Sequence, residues 1–320
     1  MIITVTPNPG LDLTYTLPAA VQDDIDVHRA SKSVLEASGK GVNVSRALAK
    51  VGVPTCAVLP AGGPTGRHLV ELLEDDNVAH RISRQASETR VNTTALRPGG
   101  ETVKLNGPGG ALSPAEQRDL LHQTRLALRD AQRDASGPAW LAVCGSLPPG
   151  TDTQLVVDLV DLAHEYDAKC AVDASGEVLK AALRARADLL APNRTELAEV
   201  APAADATGTI EELADAAREL SLSTKAELLI SLGRHGALYT DGSQVLHAWG
   251  PPLTPVNTAG AGDALLAGWL STSADARTRM TRAIHWGRSA CLAATTVDLN
   301  PGMGDDAQIA IADLTTAGSA

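Results

Sequence analysis

Short runs of β-branched and apolar residues alternate with longer stretches in which apolar positions recur every three or four residues. That alternation predicts β-α-β units around a mainly parallel sheet. The predicted strands are Ile2 to Thr6, Cys56 to Leu59, Trp140 to Cys144, Lys169 to Val172, Asp188 to Leu190 and Glu227 to Ser231. Helical spacing fills Lys40 to Val51. Ser113-Pro114-Ala115-Glu116 reads as a capping box with proline at the first helical position, which predicts a helix to about Asp130. Thr151 to Gln154 and Thr209 to Glu212 read as further boxes, each opening a helix. Two stretches break the rhythm. Residues 10 to 30, and 88 to 107 with the turn Pro98-Gly99-Gly100, alternate in polarity like hairpin strands and predict a small separate sheet at the edge or mouth of the larger one. The small polar end from Thr315 to Ala320 predicts a frayed tail.

The 320 residues suffice for one large domain with a small appendage, and no internal repeat divides them. A net charge of −11 argues against a broad nucleic-acid or anionic-membrane surface, since either needs a basic face. Any anionic ligand must then be held by a local cluster. The chain has no Phe, which also removes the commonest base-stacking side chain. Cys56, Cys144, Cys170 and Cys291 stand far apart without a paired spacing, so they read as buried small hydrophobes and not as a disulfide or zinc framework. The N-terminal MIITVTPNPG lacks a basic leader, and no apolar run reaches membrane length, which makes a cytoplasmic location the expectation.

In an open α/β sheet, ligands sit beyond the carboxyl ends of the strands, so the informative residues should follow strands directly. Asn8 and Asp12 do, as do Gly145-Ser146-Leu147-Pro148-Pro149-Gly150, Pro192-Asn193-Arg194-Thr195-Glu196 and Ser231-Leu232-Gly233-Arg234-His235-Gly236. No G-x-x-x-x-G-K-[ST] occurs, because Lys40 has no glycine at the upstream position. Gly260-Ala261-Gly262 is followed by Leu265 where a dinucleotide fingerprint needs its third glycine, which argues against a nicotinamide oxidoreductase. What the stretch NTAGAGDALLAG does offer is an acid, Asp263, beside bare amides at a helix start. Such an arrangement can take a proton from a hydroxyl while the amides of Ala261 to Asp263, bared by Gly260 and Gly262, stabilise charge on a transferring phosphoryl group.

Asn257-Thr258-Ala259-Gly260-Ala261-Gly262-Asp263 resembles the C-terminal signature of the ribokinase-like, phosphofructokinase B family of sugar kinases. Gly39-Lys40-Gly41-Val42-Asn43-Val44 resembles its N-terminal glycine-rich signature, and Asn193-Arg194-Thr195-Glu196 its N-x-x-E motif. The motifs run in family order from Thr6 to about Gly302, nearly the whole chain. Thr6-Pro7-Asn8-Pro9-Gly10-Leu11-Asp12, Thr89-Arg90-Val91-Asn92 and the 145–150 loop are most similar to the branch acting on phosphorylated ketohexoses. The resemblance implies a three-layer α/β/α domain over residues 1–320 with a small β-sheet lid. It implies ATP-dependent phosphorylation of a ketohexose phosphate, fructose 1-phosphate first, with fructose 6-phosphate or tagatose 6-phosphate as alternatives and an unphosphorylated sugar or nucleoside as a more distant one. Within that reading Asp263 is the base, Asp12 holds sugar hydroxyls, and Gly39, Lys40, Asn43, Arg90 and Ser146 surround the substrate and its phosphate. Asn193 and Glu196 organise Mg²⁺, through water, and the ATP phosphates, while Ser231, Gly233 and Gly236 lie under the nucleotide. A homodimer through the lid sheet is the implied assembly. Asn257 stands where many relatives carry Asp, which makes a monovalent-cation site harder to infer.

The same residues have plainer readings. Asp12 after a strand also suits a turn cap, Arg90 in an alternating strand suits an exposed edge, and Lys40 suits a surface position. Glu196 suits first-turn dipole complementation, and the glycines after Ser231 suit turn geometry alone. A sugar-phosphate sensor on a kinase scaffold is the remaining alternative, against which Asp263, Asn193 and Glu196 are all present.

Overall fold

The computed structural model describes residues 1–18, 27–97, 102–134, 139–201, 203–293, 295–297, 299 and 308–315. Its strands in chain order are β1 (Ile2–Val5), β2 (Gly10–Thr16), β3 (Lys32–Ser38), β4 (Thr55–Ala61), β5 (His80–Arg84), β6 (Arg90–Leu96), β7 (Thr102–Leu105), β8 (Trp140–Cys144), β9 (Lys169–Asp173), β10 (Leu189–Leu190), β11 (Glu227–Ser231), β12 (Ala237–Thr240), β13 (Val245–Trp249) and β14 (Ala310–Asp313). The helices are α1 (Lys40–Lys50), α2 (Gly63–Asp75), α3 (Pro114–Asp134), α4 (Gln154–Glu165), α5 (Gly176–Arg184), α6 (Arg194–Val200), α7 (Ile210–Thr224), α8 (Ala261–Leu270) and α9 (Ala276–Leu292). The large sheet has the order β14-β13-β12-β11-β10-β9-β8-β1-β4-β5 and a separate one the order β3-β2-β6-β7.

From β11 to β5 every pairing in the large sheet is parallel. Alternate residues of these buried strands feed two cores. Ile3, Val5, Leu141, Val143 and Val172 pack with Leu120 and Leu128 of α3, Leu159 of α4 and Leu213 of α7. Ile2, Ala142, Ala171 and Leu189 pack on the other side with Leu48 of α1, Trp269 of α8 and Ile284 of α9. This is the expected three-layer arrangement, and because both faces are covered, the strands read as continuous apolar runs. Thr4 is a polar exception. Its hydroxyl pairs with Ser45 Oγ at 2.8 Å, which in turn pairs with Thr55 Oγ1 at 2.9 Å, so the three hydroxyls satisfy one another.

The Ser113 and Thr209 capping boxes form as predicted. The Thr151 box does not: α4 is capped at Thr153, and the Gln154 amide is taken by Asp152 Oδ1 at 2.8 Å, so the acid one residue nearer outcompetes the hydroxyl. The first hairpin also ends later than residue 30, because its second strand is Lys32–Ser38. Glu36, Ala37 and Ser38 are all buried, which erases the polarity alternation that would have marked this strand. Beyond Ser231 three more strands extend the large sheet antiparallel, closing its far edge. Part of the first hairpin's connection, the Pro98-Gly99-Gly100 turn and all of the tail except Thr315 lie outside the described residues. Among the described residues no helix is long and apolar enough to cross a membrane.

Register gives the small sheet two unlike faces. Leu11, Leu13 and Tyr15 of β2 share a face with Val91 and Ala95 of β6 and with Val103 and Leu105 of β7. Leu11 and Ala37 of that face join Leu69 and Leu73 of α2 in a core, while Tyr15, Val91, Val103 and Leu105 stay exposed. The opposite face carries Asp12, Glu36, Arg90 and Asn92.

The start of α1 is pressed onto the end of β1. A Cβ at Gly41 would meet Thr6 Oγ1 at 2.5 Å and Val5 O at 3.2 Å, so only glycine allows this approach. Gly41→Ala is therefore expected to destabilise the protein by about 1–3 kcal/mol, the usual effect of overpacking, read as a lower thermal midpoint. An unchanged midpoint would show that the contact relaxes freely.

Candidate active site

Four chain segments meet beyond the strand ends. They are the start of α1, the end of β9, the β10-α6 turn and the start of α8, and with the end of β11 they line a cleft of about 260 Å³. Its lining includes Lys40, Asp173, Asn193, Glu196, Ser231, Gly260, Gly262 and Asp263. Strand ends supply these groups because the sheet places successive carboxyl ends side by side, which is where an α/β fold leaves its crevice.

Asp263 is buried in the first turn of α8, and Asn43 Nδ2 of α1 donates to its Oδ2 at 2.7 Å. Burial and then the nearby Asp173 charge push its pKa up to about 7, against the opposing pull of the Asn43 bond and of Lys40, while Asp12 adds slightly to the rise. A carboxyl with that pKa is poised to accept a proton near neutrality. Gly260 caps the helix in the left-handed region with φ 77°, and the first intrahelical bond runs from Ala264 N to Gly260 O at 2.8 Å. The N–H groups of Gly262 and Asp263 thus precede the helical ladder, and a Cβ at Gly262 would meet nothing within 4 Å, which leaves room for an anion. Ala261 differs from the expectation: its N–H turns back to Thr258 O at 3.4 Å, and it does not line the cleft. Asn257 Oδ1 accepts from Ala259 N at 2.9 Å, a turn bond that Asp would make equally well.

Lys40 Nζ lies 2.6 Å from Asp173 Oδ1. Burial alone would lower the ammonium's pKa, but Asp173, aided by Asp263 and Glu196, more than offsets this and holds it above its ordinary value. Lys40 is accordingly neither a plain surface lysine nor beside Arg90 in the cleft lining. Asp173 was not singled out from sequence. An acid closing the apolar run Lys169-Cys170-Ala171-Val172 at a strand's carboxyl end was the signal that could have found it.

Asn193 and Glu196 form a capping box for α6: Asn193 Oδ1 accepts from the Thr195 and Glu196 amides, and Glu196 Oε2 accepts from Asn193 N at 2.8 Å. The plain reading of Glu196 as a helix-start acid is thus true. Its carboxyl nevertheless borders the cleft, where burial, partly offset by the Asn193 N–H and by Lys40, raises its pKa. Asp173, Glu196 and Asp263 together face a single lysine in the lining. A polyphosphate entering there meets excess negative charge, so the donor set suits an anion that arrives with a divalent cation. Among the described residues no group of three or more His, Cys, Asp or Glu is placed to cage a metal. Ser231 lines the cleft and bridges to Asn193, whereas Gly233 does not line it. A Cβ at Gly236 would strike Ala248 O at 2.0 Å, so that glycine answers to sheet packing.

A second polar group gathers on the inner face of the small sheet. Asn92 Nδ2 donates to Asp12 Oδ1 at 2.7 Å. Arg90 is half-buried, donating from Nη2 to Asn8 O at 2.8 Å and from Nη1 to Gly107 O at 3.0 Å, while its buried Nε has no partner. Burial lowers the guanidinium's pKa, and Asp12 opposes this. Arg90 is therefore no exposed edge charge. Asn8 Nδ2 reaches Pro108 O at 3.2 Å and Ser146 Oγ at 3.4 Å, tying the 145–150 loop to this group. Gly39 caps α1 between the two groups, with Lys40 in one and Asn43 touching Asp263.

A family model described as pfkB family carbohydrate kinase matches residues 10–302. The chain is 37% identical over 275 residues to a 1-phosphofructokinase of Haloferax volcanii, covering 85% of this chain and 83% of that protein. It is 34% identical over 268 residues to the ATP-dependent 6-phosphofructokinase isozyme 2 of Escherichia coli, covering 83% of each. The crystal structure of phosphofructokinase-2 from Escherichia coli in complex with substrates and products superposes with a TM-score of 0.81 at 32% identity, covering 91% of this chain and 93% of that one.

The raised pKa of Asp263 has a consequence for stability. A carboxyl whose folded pKa lies above its unfolded value of 3.8 contributes stability below that value and loses the contribution as pH rises through about 7, where the buried group must ionise. Asp263→Asn is expected to raise the thermal midpoint at pH 8.5 clearly more than at pH 5. Equal gains at both pH values would mean that the carboxyl is not shifted upward.

Proposed function

Since this chain belongs to the pfkB family of carbohydrate kinases and is an ATP-dependent sugar-phosphate kinase, we propose that it converts fructose 1-phosphate to fructose 1,6-bisphosphate with Asp263 as general base. The observation that carries the mechanism is the buried Asp263 carboxyl, held by Asn43 beside the open amides of α8. The sugar's phosphate sits at Arg90, whose half-buried guanidinium lies on the inner face of the small sheet beside Asp12, and Asp12 and Ser146 hold sugar hydroxyls. The primary hydroxyl at the other end attacks the γ-phosphorus of ATP while its proton passes to Asp263. The bond from that phosphorus to the bridging oxygen breaks, releasing ADP, and the Gly262 and Asp263 amides stabilise the charge on the moving phosphoryl group. Asn193 and Glu196 would hold Mg²⁺ through water, and the ion would supply charge neutralisation of the phosphates. Lys40, placed in the cleft by Asp173, adds a fixed positive charge at this end of the site.

Fructose 1-phosphate is preferred because the sequence motifs lean that way and the Haloferax relative is a 1-phosphofructokinase. Fructose 6-phosphate is the second reading, favoured by the similarity to the Escherichia coli 6-phosphofructokinase. Either would yield the same bisphosphate. A cytoplasmic location belongs to this reading, since ATP and phosphosugars are its substrates.

We further propose that a second copy of the chain covers the apolar face of the small sheet, where Leu105 is 67% exposed and Val103 45% exposed beside Tyr15 and Val91. Leu105→Asp is expected to convert a dimer to a monomer in sedimentation equilibrium. A wild type that is already monomeric at micromolar concentration would defeat this assignment.

ADP release should be measured with Mg-ATP against fructose 1-phosphate, fructose 6-phosphate, tagatose 6-phosphate, fructose and ribose. One phosphorylated ketose should dominate, and Asp263→Asn should lower its kcat by about 10²- to 10⁴-fold, the range for a lost general base. Arg90→Ala should raise KM for the phosphosugar roughly tenfold or more, as for a lost charged hydrogen bond, without a matching effect on free fructose. Turnover of an unphosphorylated sugar alone would overturn the substrate class while leaving the kinase assignment intact.

A further inference from the structure

Arg46 lies one helical turn beyond Asn43 on α1. Its guanidinium reaches three groups on two other elements: Nη1 donates to Ala37 O of β3 at 3.1 Å, Nη2 to Glu36 Oε1 of β3 at 3.2 Å, and Nε to Asp76 Oδ2 after α2 at 2.5 Å. The Arg46 side chain is only 13% exposed and that of Glu36 10%. Glu36 stands opposite Asp12 in the β2-β3 register, so it shares the inner face of the small sheet. Its second oxygen, Oε2, accepts from Thr296 N at 3.4 Å. Thr296 and Val297 in turn pack on the cap of α8, where a Cβ at Gly260 would meet Val297 Cγ1 at 2.8 Å and Thr296 Cγ2 at 2.9 Å.

Two physical routes therefore run from this ion pair to the base. Along α1, Arg46 and Asn43 belong to one rigid helix, and Asn43 holds Asp263 Oδ2. Along the 295–297 loop, Glu36 holds Thr296, which abuts the α8 cap. We propose that Glu36 and Arg46 are positioning residues through which the seating of the small sheet sets the placement of Asp263 and of the α8 amides. A cavity of about 340 Å³ borders the pair, lined by Leu35, Leu72 and Asp75 among others, so the pair is not enclosed by close packing on that side. An ion pair buried only for stability is replaceable by apolar groups of similar volume. This one joins the small sheet to α1 and, through Thr296, to the loop that abuts the α8 cap.

The inference rests on Asp263 as base, so Asp263→Asn is assayed in parallel with the fructose phosphate that wild type turns over. Glu36→Gln keeps the shape and an acceptor oxygen but removes the charge facing Arg46. It should lower kcat about 10- to 100-fold, the scale of a misplaced catalytic group, with KM for Mg-ATP within about twofold. ATP hydrolysis without sugar should fall far less, so the ratio of sugar phosphorylation to hydrolysis drops about tenfold. Arg46→Lys, which cannot span all three partners, should share this loss, and the double variant should be no worse than either single one, because residues acting as one unit are non-additive. Asp76→Asn removes only the more exposed partner of Arg46 and should leave kcat within about twofold. The proposal fails if Glu36→Gln keeps wild-type kcat while Asp263→Asn collapses, if Asp76→Asn loses as much as Glu36→Gln, or if the two single losses add. Retained activity in Asp263→Asn would instead defeat the base assignment beneath it.

Discussion

The buried hydrogen bond from Asn43 to Asp263 joins residues 220 positions apart, and the active corner depends on it. A carboxyl removed from water needs partners, and here it has one side-chain amide, the start of a helix and a lysine already engaged by another acid. That partial compensation leaves the group close to neutral pH in its proton affinity, which suits a base that must be free to accept and then release. Full compensation by a second cation would have held it permanently ionised and weakly basic.

Bringing α1 and α8 together at that point requires that neither helix start carry bulk. Gly41 lets α1 touch β1, and Gly260 lets the α8 cap sit against Val297. Gly262 leaves space where side-chain atoms would otherwise lie. Gly41 and Gly260 are thus packing requirements first, and the anion site proposed at α8 is a consequence of a helix start stripped of side chains. Core packing behind them is dense, with Trp269 of α8 fully buried and set against Tyr239 at 4.3 Å between ring centroids. The start of α8 consequently rests on a packed core, while the small sheet is attached through a separate apolar cluster of Leu11 and Ala37 with Leu69 and Leu73 and through the Glu36–Arg46 pair.

The small sheet divides its labour by face. Its inner face holds Asp12, Asn92 and Arg90 in a row of hydrogen-bonded polar groups, and its outer face is apolar. Strand periodicity makes such a division unavoidable once register is set. A one-residue slip would move Asp12 and Glu36 to the face that packs on α2 and Leu11 to the face that now carries Arg90. Arg90 is the instructive residue, because its guanidinium both anchors two loop carbonyls and retains an unpartnered buried donor.

By itself the sequence determined the alternation of strands and helices, the small second sheet and most of the cleft. Each of these is encoded locally, in periodicity, in capping residues, or in a glycine-acid stretch at a helix start. Lys40, Asn193, Glu196, Ser231, Gly260, Gly262 and Asp263 do converge: Asn193, Glu196 and Ser231 were marked by their places after strands, the others by glycine-rich stretches at helix starts. Tertiary structure alone decided the rest. Asp173 matters because β9 lies beside the Lys40 loop, and Ala261 drops out because its amide turns back to Thr258. Glu36 and Arg46 meet only through the docking of β3 on α1. The strand carrying Glu36 was misplaced from sequence because burial on both faces removes alternation. Local pattern records which face a residue presents, whereas charge pairing across elements depends on register and docking, to which a run of neighbouring residues carries no signal.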